Sequence, residues 1–203
     1  MIHAKRQKRS IVVDKRKEIL AAAIEVFARK GYNKANIVEV AARAGVATGT
    51  VYLYFKNKDD LLLQSMKTMM DTNFEDIKKK LIKEKKAIDK LFMFFYHHID
   101  VFTTRPSMAR FLMVELRQSE EFYKRYPTYN PFHDYQEFVE ELVKKAIKEG
   151  TTLPYNPSTV SYLILGAMDS VVTHWLIHPE SVDLIAVTGE IRKILHNGMK
   201  KEQ

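Results

Sequence analysis

Residues 45–62 read GVATGTVYLYFKNKDDLL. This stretch places two glycines, two tyrosines and a phenylalanine beside Lys56 and Lys58. Such a mixture suits a hairpin, a lid over a ligand, or a surface that contacts a charged partner. The flanking residues favour the third interpretation, because they carry helical periodicity and no strand alternation longer than a few residues.

Two short helical patterns meet at Gly45 and predict a helix-turn-helix. Asn36 suits the N-cap of a helix over residues 37–44, and a second short helix covers residues 48–54. Gly45 can take the positive φ that the turn requires. Ala41 is small at the point where the two helices must cross closely.

The second of these helices has the residue types expected of a DNA-reading helix. Hydroxyl groups suit phosphate oxygens and base edges, Gly49 permits close backbone approach, and the two lysines follow to meet the phosphate backbone. The projecting residues are Thr48, Gly49, Thr50, Tyr52 and Tyr54. An ordinary helical corner with surface tyrosines is the alternative, since this spacing alone is weakly specific.

The charge distribution supports the DNA interpretation. The chain has 203 residues and a net charge of +8. Residues 1–60 hold 13 Lys/Arg and 6 Asp/Glu, a balance of +7, whereas residues 61–203 hold 20 and 19, a balance of +1. An excess confined to the first third predicts a polyanionic partner for that third, with a solubilising surface as the alternative.

Several function classes are disfavoured by what the sequence lacks. It has no Cys, hence no disulfide, thiolate zinc site or thiol chemistry. It has no apolar run of 18 residues and no secretory signal, so we predict a cytoplasmic protein without a membrane span. No HExxH, phosphate-loop or GxSxG motif occurs, which argues against an enzyme. We expect no cofactor and no metal, and interpret His174 as a helix or interface residue rather than a metal ligand.

Helical periodicity along the whole chain predicts an all-α fold of about nine helices. Residues 1–13 are predicted to be a basic arm before the first helix, which stops at Gly31, and Asn57 is predicted to cap a fourth helix that runs into the low 80s. The later helices are predicted over 87–104, 107–118, 132–149, 157–177 and 181–197, with 119–131 irregular. We predict a DNA-binding domain over 1–57 and a ligand-binding and dimerisation domain over 58–203.

Residues 24–62, IEVFARKGYNKANIVEVAARAGVATGTVYLYFKNKDDLL, resemble the N-terminal signature of TetR-family transcriptional regulators. The matching residues are Phe27, Gly31, Tyr32, Ile37, Ala41, Ala44, Gly45, Val46, Gly49, Thr50, Tyr52, Phe55, Lys58 and Leu61. The resemblance implies a homodimeric repressor that binds a palindromic double-stranded DNA operator. It also implies that ligand binding moves the fourth helix and changes the spacing of the two reading heads.

The resemblance also assigns roles by position. Phe55 matches a core position, whereas Leu53 joins the residues that face DNA. Asn36 stands where a Thr is common and can still cap its helix and meet a phosphate. The candidate DNA-binding residues are therefore Asn36, Thr48, Gly49, Thr50, Tyr52, Leu53, Tyr54, Lys56 and Lys58.

The nearly neutral remainder is rich in Phe and Met, which suits either a hydrophobic effector or an ordinary helical core. Arg110 and Arg117 are seven residues apart, so they share one face of an α-helix and would suit the phosphates of an amphipathic anion. A solvated face with intrahelical ion pairs is the alternative. The candidate ligand-binding residues are Phe95, Phe102, Arg110, Phe111, Val114, Arg117, Phe138 and Met168.

Two further segments narrow the resemblance. VELRQS at 114–119 and GAMDSVVTHWLIHPESVDL at 166–184 are similar to the FadR-type members of the family. Those members repress fatty-acid degradation genes and are released by long-chain acyl-CoA, which becomes the expected effector. A repressor of an efflux or catabolic operon that senses another hydrophobic or aromatic molecule is the alternative. A non-specific architectural DNA binder would not need the aromatic-rich domain.

The last two helices carry apolar stripes that suit a dimer interface or the core of one subunit. Two helices from each subunit would form a four-helix interface. The candidate dimerisation residues are Leu163, Ala167, Val171 and Trp175 on the first helix, and Leu184, Val187, Ile191 and Ile194 on the second.

Overall fold

The computed structural model describes residues 2–116, 120–127, 129–130 and 133–199, without the side chains of 2–14, 114–116 and 121–122. Backbone contacts divide the chain into two compact units, Met1–Asp71 and Thr72–Gln203. The division falls inside a long helix that begins at Lys58, whereas the predicted domain boundary lies at the start of that helix.

The described residues form ten α-helices and no strand, which confirms the all-α prediction. Their bounds are α1 Ile2–Lys34, α2 Ile37–Arg43, α3 Thr48–Tyr54, α4 Lys58–Leu81, α5 Ala87–Thr104, α6 Pro106–Arg110, α7 Glu120–Arg125, α8 His133–Lys148, α9 Pro157–Ile177 and α10 Leu184–Met199. A π-helical segment, Phe111–Leu116, continues α6, and a 3₁₀ turn, Pro179–Ser181, precedes α10. The helix that the sequence did not predict is α7, which lies in the segment predicted to be irregular.

The prediction of a separate arm over residues 1–13 is wrong for residues 2–13, because α1 begins at Ile2. Residues 2–30 contain neither Gly nor Pro, so nothing in this stretch interrupts helical hydrogen bonding. The predicted stop is correct: Gly31 has φ 72° and ψ 164°, outside the helical region.

The first unit has a core built from one face of each of its helices. Ile19, Ala23 and Phe27 recur at four-residue spacing on α1 and are buried. They share the unit with the buried residues Val40 and Ala41 of α2, Val51 of α3, Phe55, and Leu61 and Leu62 of α4. This core fixes which faces of α2 and α3 remain exposed.

The second unit packs α5, α8, α9 and α10 against one another. The predicted bounds of α5 and α9 are confirmed to the residue. Within the described part of the chain, α9 is the one helix long and apolar enough to cross a membrane by length and composition. It buries Ile164, Met168 and Val172, and a core helix of a soluble protein passes the same test.

Candidate functional site

The turn between α2 and α3 is closed by a pair of backbone hydrogen bonds. Gly45 N donates to Ala42 O at 3.2 Å, and Val46 N donates to Ala41 O at 3.0 Å. This is the Schellman pattern, which needs a left-handed residue just after the helix. Gly45 supplies it with φ 64°, so the predicted role of Gly45 is confirmed.

The face that α3 exposes is set by two buried residues. Val51 and Phe55 point into the core at 1% and 2% exposure. The opposite side carries the predicted reading residues: Tyr52 is 54% and Leu53 82% exposed, while Thr48, Thr50 and Tyr54 are half-buried. Leu53 has no role in the core, so its apolar side chain is free to meet a partner.

Gly49 lies on the exposed side of α3 with ordinary helical geometry. A Cβ built on it would meet nothing within 4 Å. The protein fold therefore gives no reason for a glycine at position 49. At position 45 it does, because the positive φ there favours glycine.

The start of α2 is held by the capping bond that the sequence predicts. Asn36 Oδ1 accepts a hydrogen bond from Glu39 N at 2.8 Å. Glu39 also pairs with Lys30 Nζ at 2.5 Å, and Arg43 at the other end of α2 pairs with Glu25. These contacts fix α2 on α1 and leave Asn36 exposed at the surface.

The structure gives Lys58 a role that its sequence position did not show. Its Nζ lies 4.3 Å from the centroid of the Tyr32 ring and 3.4 Å from Asn33 O. Tyr32 also donates a hydrogen bond to Asp59. Burial lowers the pKa of the Lys58 ammonium. These residues fasten the end of α1 to the start of α4, a role that the Gly31-Tyr32 motif could have suggested.

The N-terminus of α4 is capped as predicted. Asn57 Oδ1 accepts from Asp60 N at 2.8 Å, and Asp60 Oδ2 accepts from Lys56 N at 2.8 Å. Burial alone would raise the pKa of Asp60, but hydrogen bonds from Gln64 and from the Lys56 backbone hold that pKa below its usual value. The Lys56 side chain stays exposed beyond α3.

In the second unit, aromatic side chains from α4, α5 and α8 form one cluster. Phe74 stacks on Tyr135 at 4.9 Å and meets Phe138 edge-on at 5.2 Å. Phe94 lies 5.7 Å from Tyr135, and His98 lies 4.6 Å from Phe102, all between ring centroids. Burial raises the pKa of Tyr135, whose phenol stays protonated. We call these six residues the aromatic cluster: Phe74, Phe94, His98, Phe102, Tyr135 and Phe138.

The cluster unites only two of the ligand-binding residues predicted from the sequence, Phe102 and Phe138. Phe95, Phe111 and Met168 are buried in the same unit. Arg117 and the side chain of Val114 lie outside the described residues. The predicted shared face of Arg110 and Arg117 assumed an α-helix between them. The segment between them is π-helical, so a spacing of seven residues does not return to one face as it would in an α-helix.

Arg110 has a structural role beside the predicted one. Its guanidinium donates a hydrogen bond to Leu176 O, one of the last carbonyl groups of α9, which lack partners within the helix. This contact joins α6 to the end of α9. Arg110 is otherwise exposed at the surface.

Apolar side chains remain exposed on α9 and α10, opposite the residues that these helices bury. Of the thirteen large hydrophobic residues that are exposed in the described part of the chain, six lie there: Tyr162, Leu163, Ile177, Ile185, Val187 and Ile194. The other predicted dimerisation residues, Ala167, Val171, Trp175, Leu184 and Ile191, are half-buried. Tyr162, Ile177 and Ile185 are exposed on the same two helices but were not among the predicted residues.

An exposed reading helix, held by a glycine turn in a small basic unit and followed by a larger helical unit, defines a helix-turn-helix transcription regulator. A family model described as bacterial regulatory proteins of the tetR family matches residues 19–64. A second, described as the C-terminal region of YsiA-like proteins, matches residues 66–198, more than half of the chain. The chain belongs to the TetR family.

The proteins similar to this chain over nearly its whole length include regulators of fatty-acid metabolism. The fatty acid metabolism regulator protein of Bacillus subtilis is 29% identical over 183 residues, covering 90% of this chain and 94% of that protein. The crystal structure of B. subtilis FadR in complex with stearoyl-CoA superposes with a TM-score of 0.79 at 28% identity, covering 90% and 98%. FadR from Bacillus halodurans gives 0.79 at 28% identity, covering 91% and 95%.

Proposed function

We propose that this transcription regulator is a cytoplasmic repressor that binds a palindromic operator as a homodimer and leaves it when long-chain fatty acyl-CoA binds. The observation that carries the proposal is the geometry of α3, which exposes Tyr52 and Leu53 while Val51 and Phe55 hold the helix in the core. The similarity to a structure that holds stearoyl-CoA supports the effector.

The DNA half of the proposal uses the predicted residues in distinct roles. The side chains on the exposed face of α3 would enter the major groove, where hydroxyl and apolar groups read base edges and thymine methyls. Asn36 and Lys56 at the flanks would contact phosphates, and Lys58 would do so with donors that its bond to Asn33 O leaves free.

The effector half explains why a neutral helical unit follows the reading head. The buried aromatic and methionine side chains would accept an acyl chain, and Arg110 and Arg117 would contact the phosphates of CoA. Helix α4 contributes residues to both units, so a ligand that prefers one position of α4 would lower DNA affinity by its difference in affinity for the two states.

Gly49→Ala is expected to separate DNA affinity from stability. A methyl group here meets no protein atom, so the free energy of unfolding should stay unchanged or rise by up to about 1 kcal/mol. If the DNA backbone approaches α3 closely at Gly49, operator affinity should fall at least about tenfold, or about 1.4 kcal/mol. Denaturant unfolding and fluorescence anisotropy with labelled operator measure the two quantities.

Gly45→Ala is the matched comparison, because its φ of 64° makes any L side chain strained. It should lose about 1–2 kcal/mol of stability. Gly49→Ala with undiminished operator affinity would show that DNA does not approach that backbone position.

Release by stearoyl-CoA tests the complete proposal. The operator is first selected from random duplex DNA with the purified full-length protein, and a palindrome is expected. Stearoyl-CoA should then displace the protein from this operator, whereas CoA alone should not. The variant with Arg110→Ala and Arg117→Ala should bind the operator normally but need more stearoyl-CoA for release, with thermal unfolding as the control for the lost contact to Leu176 O.

The outcomes separate the two halves. A selected palindrome without release by stearoyl-CoA would keep the DNA half and contradict the effector, leaving another hydrophobic or aromatic molecule as the alternative. Selection of no preferred sequence would contradict the operator.

A further inference from the structure

A buried amide on α4 has a hydrogen-bond partner on one side only. Asn73 is 4% exposed, and its Oδ1 accepts a hydrogen bond from Arg105 Nη1 at 3.3 Å. A guanidinium group only donates, so the amide atom that faces it must be the oxygen. The NH₂ group therefore faces elsewhere. Its nitrogen is buried and finds no acceptor among the residues that the structure describes.

An unpaired donor in a core destabilises the fold, and such groups are rare enough to require an explanation. The side chain of Asn73 cannot rotate to pair its NH₂ group without losing the hydrogen bond that its oxygen accepts from Arg105. None of the described residues supplies the missing acceptor, which a bound molecule would provide.

The aromatic cluster adjoins this amide. Phe74 follows Asn73 directly on α4. Phe94, His98 and Phe102 recur at four-residue spacing on one face of α5, and Arg105, which follows α5, comes three residues after Phe102. The partner of Asn73 is therefore about one helical turn from Phe102, a member of the aromatic cluster.

Arg105 adds a positive charge at the same place. Its side chain begins where α5 ends, it is exposed, and it makes no ion pair with any described carboxylate. Nη1 lies 3.3 Å from Asn73 Oδ1, so the guanidinium lies beside the amide whose NH₂ group lacks an acceptor among the described residues. The phosphates of CoA are many bonds from the acyl carbon, so this donor pair matches the carbonyl end of the chain.

We propose that Asn73 and Arg105 form a polar subsite that binds the carbonyl oxygen of a long-chain acyl effector, with the alkyl chain against the aromatic cluster. The inference rests on the proposed function and adds the residues that recognise the acyl head. The oxygen can belong to a thioester or to a free carboxylate. Asn73 lies two residues after the point where the contacts divide the chain, so the subsite acts on the helix that contributes to both units.

Calorimetry with ligand pairs tests the subsite on the full-length protein. Stearoyl-CoA and S-octadecyl-CoA differ by the carbonyl oxygen, which the thioether lacks. The wild type should bind stearoyl-CoA about tenfold more tightly, the typical size of one buried hydrogen bond. Asn73→Leu should bind both compounds with similar affinity. Stearate is the second arm: binding of stearate that Arg105→Ala weakens, but exposed Arg192→Ala does not, identifies the free carboxylate as the source.

The stability of Asn73→Leu gives an independent readout. Asn73→Leu removes the unpaired buried donor and one hydrogen bond from Arg105, whose exposed guanidinium can bind water instead, so the melting temperature of the ligand-free protein should stay unchanged or rise. A clear fall would show that the amide is already satisfied and overturn the proposal. If this variant does not fold, the two CoA compounds on the wild type still decide.

Each result has one meaning. Equal affinity of the wild type for stearoyl-CoA and S-octadecyl-CoA, without stearate binding, would reject the subsite and leave the acyl-CoA effector intact. Failure of the wild type to bind stearoyl-CoA and stearate at all would reject the effector of the proposed function and the subsite with it.

Discussion

Tyr52→Ala is expected to lower operator affinity about 30- to 10⁴-fold while leaving the fold intact. Tyr52 is 54% exposed on α3 beside Leu53, and within the described residues it makes no hydrogen bond or ring contact. A surface residue of this kind changes stability by at most about 0.5 kcal/mol when truncated. A side chain that touches base edges or backbone contributes about 1–3 kcal/mol per reading helix, and a dimer uses two.

Fluorescence anisotropy with the selected operator measures the loss, and sedimentation checks that the oligomeric state is unchanged. Tyr96→Ala is a matched control, because Tyr96 is 57% exposed but lies on α5 in the other unit. Tyr52→Phe divides the effect between ring and hydroxyl. Wild-type affinity in Tyr52→Ala would remove Tyr52 from the residues that contact DNA, and wild-type affinity in Gly49→Ala as well would contradict the reading role of α3.

Local chemistry made the first unit predictable from sequence. The glycine at the α2–α3 turn, the caps at Asn36 and Asn57, and the alternation of Val51 and Phe55 with exposed residues all act over a few residues. Each of these features can be recognised from a few neighbouring residues, without knowledge of the rest of the chain. Lys58 was assigned to phosphate only, because its contact with Tyr32 spans 26 residues and cannot be read from spacing.

The second unit was predictable in its helices but not in its site. The α5 and α9 bounds follow from capping, Pro and apolar periodicity. Which buried side chains meet is decided by how α4, α5 and α8 pack, so Asn73 and Tyr135 were not among the predicted ligand residues. The π-helical segment after α6 was also missed, since its residues FLMVEL favour an ordinary α-helix.

The start of α1 shows a different limit of prediction from sequence. Residues 1–13 are strongly basic, and their charge suggested an arm, but composition does not interrupt a helix. Charge indicates what a segment can bind, whereas Gly and Pro indicate where a helix stops. The basic residues before Asp14 are therefore carried on α1 and still contribute to the positive balance of the first unit.

Combining Leu163→Glu with Ile194→Glu is expected to convert the protein to a folded monomer that no longer binds the palindromic operator tightly. Both residues are exposed in the single chain, so two carboxylates in their place remain hydrated and the fold tolerates them. In a two-fold dimer each change occurs twice, and an uncompensated charge in a buried interface costs about 3–5 kcal/mol. The dimer dissociation constant should rise at least about a hundredfold.

The physical reason for expecting an interface here is the concentration of exposed apolar side chains on α9 and α10, including Leu163 at 58% and Ile194 at 69% exposure. Scattered exposed apolar residues are ordinary, whereas a shared face on two neighbouring helices marks an association surface. Ile82→Glu is the matched control, since Ile82 is equally apolar and exposed but lies after α4. Sedimentation velocity at micromolar concentration reports the mass. If the Leu163/Ile194 double variant remains dimeric, the interface lies elsewhere. If it is a monomer and binds the operator weakly, affinity depends on pairing two reading helices across one palindrome.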